Sequence, residues 1–279
     1  MTTKQFLDNL TINTDLACDV LTRFIREEIG KAGFGHAVVG LSGGIDSSLI
    51  AYLCSEALGP ENVLGVRMPY QSSSQESLAH AQMVIDALGI RNDTVEITPM
   101  VDPLFARFPD MTPLRKGNVM ARQRMIVLYD QSAAFGALVV GTGNKTEALL
   151  GYSTLYGDGA AALHPLGDLY KHQVRQLARA MGVPQVIIDK PPSADLWPGQ
   201  TDEGELGYTY DDADQLLYLL IDRRYSLEEA VEAGFPAEFV REVWRTVRRC
   251  HYKRVPPLIP KLSHRTLGID FLYLRDWGT

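Results

Sequence analysis

The chain has few cysteines and no long apolar run, and both absences restrict its class. Its 279 residues include three cysteines, none in a C-x-x-C pair, so neither a zinc cluster nor a disulfide framework is indicated. The apolar runs are too short to form a membrane-spanning helix. The N-terminal sequence MTTKQFLDNL lacks the basic start and apolar stretch of a secretory signal. We therefore expect a cytoplasmic protein without membrane contact.

Positive charge is also scarce in the chain as a whole. The formal net charge of −7 argues against general nucleic-acid binding. The segment 241–265 is an exception, because it is rich in Lys and Arg and contains a single acid, Glu242. Two explanations stay open: a solvated helix face, or an arm that holds a polyanionic small molecule.

Three common catalytic motifs are missing, namely G-x-x-x-x-G-K-[ST], G-x-G-x-x-G and H-E-x-x-H. A fourth, the G-x-S-x-G elbow of serine hydrolases, matches residues 40–44, and His251 or His264 could follow as the base. That elbow normally comes after several strands, whereas here it follows the first predicted strand. It also leaves the Asp-Ser pair at 46–47 without a role. The hydrolase is therefore a distant alternative.

Apolar strand patterns alternate with helical patterns along the first half of the chain. The strands do not alternate apolar and polar residues, which is typical of a doubly wound parallel α/β sheet with helices on both faces. We predict a sheet of the five-stranded type, with strands at 37–41, 62–69, 93–97 and 137–142. The long helix before the fourth strand is predicted at about 118–135.

The last third of the chain indicates a helical C-terminal extension, after two stretches rich in Gly, Pro, Asp and Ser at 151–170 and 189–208. Irregular stretches of that length are usually functional loops. We expect one domain over 1–279, with a nucleotide-binding core at about 15–190 and a helical part at about 191–279.

The stretch SGGIDS after the first strand has the composition of a phosphate-binding loop. Its glycines allow close approach of the backbone to phosphate, and the next helix presents free N–H groups. An aspartate would repel bare phosphate, so Asp46 suits Mg²⁺ that bridges to phosphate oxygens. A tight turn with Asp46 as a helix cap is the simpler alternative.

This loop resembles that of the N-type ATP pyrophosphatases, a group that includes GMP synthetase, asparagine synthetase and tRNA-modifying enzymes. Three further stretches resemble NAD synthetases in particular: GNVMARQRMIVLYDQSA (117–133), GTGNKTEALLGYSTLYGDGAAALHPLGDLYKHQV (141–174) and KPPSADLWPGQTDEGELG (190–207). The resemblance implies adenylation of deamido-NAD by MgATP with release of pyrophosphate, followed by displacement of AMP by ammonia to give NAD.

The resemblance also implies site residues. The expected ATP contacts are Gly40, Leu41, Ser42, Gly43, Gly44, Ile45, Asp46, Ser47, Arg67, Thr142, Lys171 and Ser193. Asp46 and Glu147 would be the Mg²⁺ ligands. Outside the family context, a helix cap for Asp46 and a solvated helix face for Glu147 are the preferred explanations.

Arg122 and Lys253 would contact deamido-NAD, and Asp158, in the sequence YGDG, would lie near the ammonia site. Asp46, Lys171 and Asp158 are thus the expected catalytic residues. Leu155 and Ala162 depart from the lysine and aspartate of many compact ammonia-using members. No dinucleotide contact is carried over to those two positions.

The resemblance implies ATP, deamido-NAD and ammonia as substrates and a homodimer as the assembly. The apolar helices 15–29 and 119–135 are candidate interfaces and are equally plausible as parts of the core. No amidase domain is visible, since only 36 residues precede the first predicted strand. We therefore expect use of free ammonia, unless a separate glutaminase supplies it. Another N-type ATP pyrophosphatase and a non-catalytic adenine-nucleotide module are the remaining alternatives.

Overall fold

A computed structural model describes residues 4–193, 197 and 199–270, and its centre is a parallel β-sheet. The strands are β1 (His36–Gly40), β2 (Val63–Arg67), β3 (Arg91–Thr94) and β4 (Ala137–Val139). The strand order is β3-β2-β1-β4, and every neighbouring pair is parallel. In place of a fifth strand, the described residues hold an isolated parallel bridge between Val140 and Leu163. The predicted fold class is confirmed, with four strands.

The direction in which the sheet grows reverses at β1. The chain adds β2 and β3 on one side of β1 and then returns to place β4 on the other side. In open α/β sheets, ligands bind at such a switch point, beyond the carboxyl ends of the strands. The segments that follow β1 and β4 begin at Leu41 and Val140, so they meet at this position.

Twelve α-helices are seen in the described part of the chain. They are α1 (Thr14–Lys31), α2 (Ile45–Leu58), α3 (Gln75–Leu88), α4 (Thr98–Arg107), α5 (Pro113–Phe135), α6 (Lys145–Leu150), α7 (Lys171–Ala180), α8 (Gln185–Ile188), α9 (Asp202–Leu206), α10 (Tyr210–Leu217), α11 (Leu227–Glu232) and α12 (Ala237–Arg249). Short 3-10 helices cover Lys4–Leu10, Pro60–Asn62 and His251–Lys253, and α10 continues as a π-helical turn, Tyr218–Asp222. None of the helices described is long and apolar enough to cross a bilayer.

Strand β1 is buried on both faces, which explains its uninterrupted apolar sequence. Ala37 and Val39 belong to a cluster that includes Leu53 of α2, whereas Val38 belongs to a second cluster with Val127 of α5. Successive side chains of a strand point to opposite faces, so the two clusters lie on opposite sides of the sheet. Helices therefore cover both faces, as predicted.

The C-terminal helices pack in a third hydrophobic cluster, which also takes in Leu150 of α6 and Tyr170 before α7. It includes Leu216 and Leu217 of α10 with Val240 and Val243 of α12. Leu10, from the 3-10 helix near the N-terminus, is buried in the same cluster. The helical C-terminal extension is thus packed as a unit, and the N-terminal segment is part of its core.

Helix α5 begins earlier than its apolar pattern predicts. The pattern places the start near Asn118, but the helix starts at Pro113. Thr112 caps it, because its side chain accepts a hydrogen bond from the N–H of Arg115 at 3.3 Å. A threonine cap followed by proline in the first turn is a strong helix start, and it extends α5 to Pro113, five residues ahead of the predicted start.

Candidate active site

The stretch SGGIDS (residues 42–47), called the phosphate-type loop below, lies at the junction of β1 and α2, at the switch point of the sheet. Two serine hydroxyls hold its shape: the Oγ atoms of Ser42 and Ser47 are 3.0 Å apart, and Ser47 Oγ donates to the Gly44 carbonyl at 3.0 Å. Gly44 precedes α2, and no side chain caps the helix there. The first N–H groups of α2 therefore have no side-chain cap competing for them, as an anion site at a helix N-terminus requires.

Gly43 is the position in this loop where only glycine fits. Its φ is +77°, in the region that L-residues rarely adopt. A Cβ on Gly43 would also lie 2.1 Å from the carbonyl oxygen of Ser77 in α3. The loop consequently packs tightly against the first turn of α3, which fixes its height above the sheet.

A lysine from α7 lies between two carboxylates beside this loop. Lys171 Nζ is 2.5 Å from Asp46 Oδ2 and 3.0 Å from Glu147 Oε1, and the lysine side chain is 2% exposed. Burial alone lowers the pKa of an ammonium group, but the two carboxylates outweigh burial and raise the pKa of Lys171 above its ordinary value. The buried cation is therefore charged and paired on both sides.

Asn144 joins the same two carboxylates from the opposite side. Its Nδ2 donates to Asp46 Oδ1 at 2.9 Å, and its Oδ1 accepts from the N–H of Glu147 at 3.0 Å. The backbone N–H of Asn144 donates in turn to Glu147 Oε2 at 3.3 Å, completing a capping box at the start of α6. The pattern N-x-x-E was the available sequence signal for this buried residue, which the sequence analysis missed.

A second layer of side chains orients Lys171. Thr146 Oγ1 accepts from the Lys171 N–H at 2.9 Å and donates to Asp214 Oδ1 at 2.5 Å. Asp214 also accepts from the N–H of His172 at 2.7 Å. Burial raises the pKa of Asp214 to about 6, against the lowering effect of these hydrogen bonds. Helix α10 thereby fixes the first turn of α7, from which Lys171 projects.

A cavity of about 510 Å³ opens over the loop and the charged group. This volume lies in the range of small-molecule sites. Of the residues expected at the ATP, metal, ammonia and dinucleotide positions, those that line it are Gly40, Leu41, Ser42, Gly44, Ile45, Asp46, Ser47, Thr142, Glu147, Asp158, Lys171, Ser193 and Lys253. Gly43 is in the loop but does not line the cavity; it shapes the backbone instead.

Two expected arginines lie outside this lining. Arg67 donates from Nη1 to Gln82 Oε1 at 2.5 Å and from Nη2 to Asn92 Oδ1 at 3.3 Å. Met68, the next residue, lines the cavity. At the end of β2 the neighbouring amides thus direct Arg67 away, and the cavity wall there is apolar.

Arg122 is exposed on α5, where its Nε donates to the carbonyl of Leu155 at 3.3 Å. Arg124, two residues later, lines the cavity and donates to the Met68 carbonyl at 3.0 Å. Lys190 is a second lining cation that the sequence analysis missed, and its Nζ donates to Ser77 Oγ at 2.8 Å.

Lys253 braces the loop that follows α6. Its Nζ donates to the carbonyls of Gly151 and Ser153 at 2.7 and 2.6 Å. Asp158 folds the same loop, because its Oδ1 accepts from the N–H of Thr154 at 2.8 Å. Part of the basic C-terminal segment thus supports the cavity wall.

Comparison with known proteins gives a consistent result. The family model described as NAD synthase matches residues 17–257. The NH(3)-dependent NAD(+) synthetase of Trichlorobacter lovleyi is 55% identical over 272 residues, covering 98% of this chain and 100% of that protein. The structure of the NH3-dependent NAD synthetase from Campylobacter jejuni is 31% identical, with a TM-score of 0.77, over 90% of this chain and 100% of that one. An NMN synthetase from Francisella tularensis is 32% identical, with a TM-score of 0.78, over 90% of this chain and 99% of that one. The chain belongs to the NAD synthase family.

Proposed function

We propose that this chain is a ligase that converts deamido-NAD, ATP and ammonia to NAD, AMP and pyrophosphate, the last step of NAD biosynthesis. Three relatives named NH(3)-dependent NAD(+) synthetase are 52–55% identical to this chain and cover at least 96% of it. One observation carries the proposal: a single cavity is lined both by the phosphate-type loop and by the Asp46–Lys171–Glu147 group. That pairing suits ATP cleavage with release of pyrophosphate.

The reaction has two parts, and neither needs a nucleophile from the protein. The carboxylate of deamido-NAD attacks the α-phosphorus of ATP, which forms an acyl adenylate and releases pyrophosphate. Ammonia then attacks the acyl carbon, and AMP leaves. The protein contributes position and charge. The loop N–H groups and the hydroxyls of Ser42 and Ser47 face the pyrophosphate end, with Thr142 and Ser193 beside the triphosphate and Lys171 offsetting its charge.

Mg²⁺ fits the donor set of this site. The carboxylates of Asp46 and Glu147 line the cavity, and Mg²⁺ in proteins commonly takes one or two carboxylates together with substrate phosphates and water. Within the described residues, no group of three His, Cys, Asp or Glu could hold a metal alone. We therefore place the metal with bound ATP, where it would offset the charge of the leaving pyrophosphate.

Deamido-NAD occupies the rest of the cavity in this proposal. Its adenylated carboxylate lies toward the loop, and Lys253 and Asp158 lie on the wall beyond. Arg122, exposed on α5, contacts the dinucleotide where the ligand extends past the cavity. Arg67 would have to leave Gln82 and Asn92 to reach adenosine, so the apolar wall beside it is the better adenine surface.

The assembly we propose is a homodimer of single-domain chains in the cytoplasm. Helix α1 exposes Leu16, Val20 and Phe24, and α5 exposes Leu114 and Ile126. Exposed apolar side chains that adjoin on a helix mark a candidate interface, and α1 and α5, which pack on opposite sides of the sheet, are two separate candidates. Size-exclusion chromatography with light scattering tests this assignment, and a monomer at working concentration would overturn it.

The activity is tested by incubating the protein with MgATP and deamido-NAD, and with either ammonium or glutamine. We expect NAD, AMP and pyrophosphate in equal amounts with ammonium, and no NAD with glutamine alone. Absence of NAD with ammonium rejects the function, and release of ADP rejects the whole pyrophosphatase class. Replacing deamido-NAD by nicotinic acid mononucleotide measures the activity that the name of the Francisella protein suggests.

Asp158→Asn separates the two half-reactions. We expect it to slow NAD formation from ammonium more than pyrophosphate release, because Asp158 is placed near ammonia and not at the triphosphate. Equal loss of both rates would remove Asp158 from the ammonia step.

A separate test addresses the hydrolase alternative, which labelling of Ser42 by a fluorophosphonate would revive. Among the described residues, no histidine hydrogen-bonds Ser42.

A further inference from the structure

Asp202, at the start of α9, has a buried oxygen without a partner. The residue is 5% exposed, and its Oδ1 is fully buried with no hydrogen bond to any described residue. Asp202 nevertheless lines the cavity. A buried carboxylate oxygen without a donor is costly, and native proteins leave few of them.

The position of Asp202 is fixed independently of any ligand. Its N–H donates to the Pro192 carbonyl at 2.9 Å, and its Oδ2 accepts from the hydroxyl of Tyr210 at 3.1 Å. Tyr210 is itself buried, and Lys171 Nζ lies 5.2 Å from the centre of its ring. Tyr210 therefore contacts the Asp202 carboxylate through its hydroxyl and the Lys171 ammonium through its ring.

Glu205, on the same helix, differs in having both oxygens engaged. Tyr152 donates its hydroxyl to Glu205 Oε2 at 2.7 Å, and Gln200 Nε2 donates to Oε1 at 3.2 Å. Both residues line the cavity. Of the carboxylate oxygens of Asp202 and Glu205, Oδ1 of Asp202 is thus the one to which no described residue donates.

The chemistry of this position suits a small cation with N–H donors better than a divalent metal. A divalent ion needs several hard oxygen ligands, and no cluster of that kind occurs among the described residues. Ammonium donates up to four hydrogen bonds and is attracted to aromatic faces, as the ammonium head of Lys171 is here. A carboxylate oxygen that lacks a donor, on a residue whose other oxygen is held by the Tyr210 hydroxyl, matches it.

We propose that Asp202 Oδ1 binds the ammonium ion, which releases one proton to solvent and then, as ammonia, supplies the amide nitrogen. The inference rests on the proposed function and adds to it a binding residue for the nitrogen substrate. Asp202 lies on the wall that also carries Lys171 and Asp46, so an ion held there is inside the cavity in which the adenylate forms. The added positive charge also offsets a wall that has more carboxylates than cations.

The first test compares Asp202→Asn with Glu205→Gln, which removes a carboxylate whose oxygens are already satisfied. Asp202→Asn should raise the KM for ammonium about tenfold or more, while pyrophosphate release measured without ammonium stays near the wild-type rate. Glu205→Gln should leave the KM for ammonium unchanged. An unchanged KM in Asp202→Asn, or an equal rise in both variants, overturns the proposal. Wild-type protein that makes no NAD from ammonium rejects the proposed function instead.

The second test does not depend on turnover or on the folding of a variant. Crystals of the wild-type protein are soaked with thallium(I), a monovalent cation close to ammonium in size. An anomalous peak within bonding distance of Asp202 Oδ1, weakened by added ammonium, is the expected result. A peak elsewhere in the cavity with none at Asp202 overturns the assignment.

Discussion

Replacing Asn144 by serine tests whether the cap of α6 also holds the Asp46 carboxylate. Serine is an equally good N-cap, so Asn144→Ser keeps the bond to the Glu147 N–H. It removes the amide that donates to Asp46 Oδ1 at 2.9 Å. A hydrogen bond to a charged group contributes about 1.5–3 kcal/mol, so we expect the unfolding free energy to fall by about 2 kcal/mol.

For a chain of this size, about 2 kcal/mol corresponds to a drop in Tm of about 4 °C. Asn144→Ala should lose the cap as well, adding about 1 kcal/mol. Asn144→Asp keeps the cap but sets a second carboxylate against Asp46, so at pH 7 it should be less stable than Asn144→Ser.

The assay combines thermal unfolding with the Mg²⁺ dependence of pyrophosphate release. Asn144 touches both proposed metal ligands, so the concentration of Mg²⁺ that gives half of the maximal rate should rise in Asn144→Ser. A residue that only stabilised the fold would lower Tm without moving this concentration. If Asn144→Ser unfolds within about 1 °C of the wild type and keeps its Mg²⁺ dependence, the reasoning is refuted.

Three further outcomes follow from single contacts. Gly43→Ala should lower Tm and abolish ATP binding, because its Cβ meets the Ser77 carbonyl. Gly89→Ala, also at positive φ but in open space, should lower Tm less and keep ATP binding. Differential scanning fluorimetry with and without MgATP checks both variants. Since burial raises the pKa of Asp214 to about 6, the folded protein binds an additional proton between pH 4 and 6, and this group's contribution to stability falls as pH rises through that window. The unfolding free energy of wild type minus that of Asp214→Asn, from urea titrations, should therefore be larger at pH 4.5 than at pH 7, and an equal difference would contradict the shift. Arg254→Ala removes the guanidinium donor from the Ala148 and Leu149 carbonyls at the end of α6 and from the Val247 carbonyl of α12. It should cost about 1–3 kcal/mol, which urea unfolding measures, and a loss below about 0.5 kcal/mol would contradict this expectation.

The sheet and the loop were predictable because their signals are local. The apolar run from Ala37 to Val39, with Ser-Gly-Gly beginning at Ser42, indicates a central strand and a tight turn into a helix. The start of α5 at Pro113 has an equally local signal in the pair Thr112-Pro113, which lies ahead of the apolar pattern. Apolar periodicity reports a helix where it is buried, so the exposed first turn of α5 escaped it.

The second layer of the site could not be predicted, since its contacts join distant parts of the chain. Asn144 and Asp46 are 98 residues apart, and Thr146 and Asp214 are 68 apart. Each partner taken alone reads as a capping residue or an exposed helix acid. Arg67 illustrates the converse: its place at the end of β2 was predictable, but the amides that turn it away from the cavity come from α3 and β3.

Lys171, far from the loop in sequence, supplies the positive charge that a P-loop would take from a lysine in the loop itself. In a P-loop the cation belongs to the same turn as the phosphate-binding backbone, so the turn is complete in itself. Here Asp46 takes that place, and the lysine arrives from α7, across the switch point between β1 and β4. One cation between two carboxylates leaves this part of the wall with excess negative charge. In the proposed function, a bare triphosphate would be repelled by such a wall, so ATP would bring its own cation, and Asp46 would be a ligand for it.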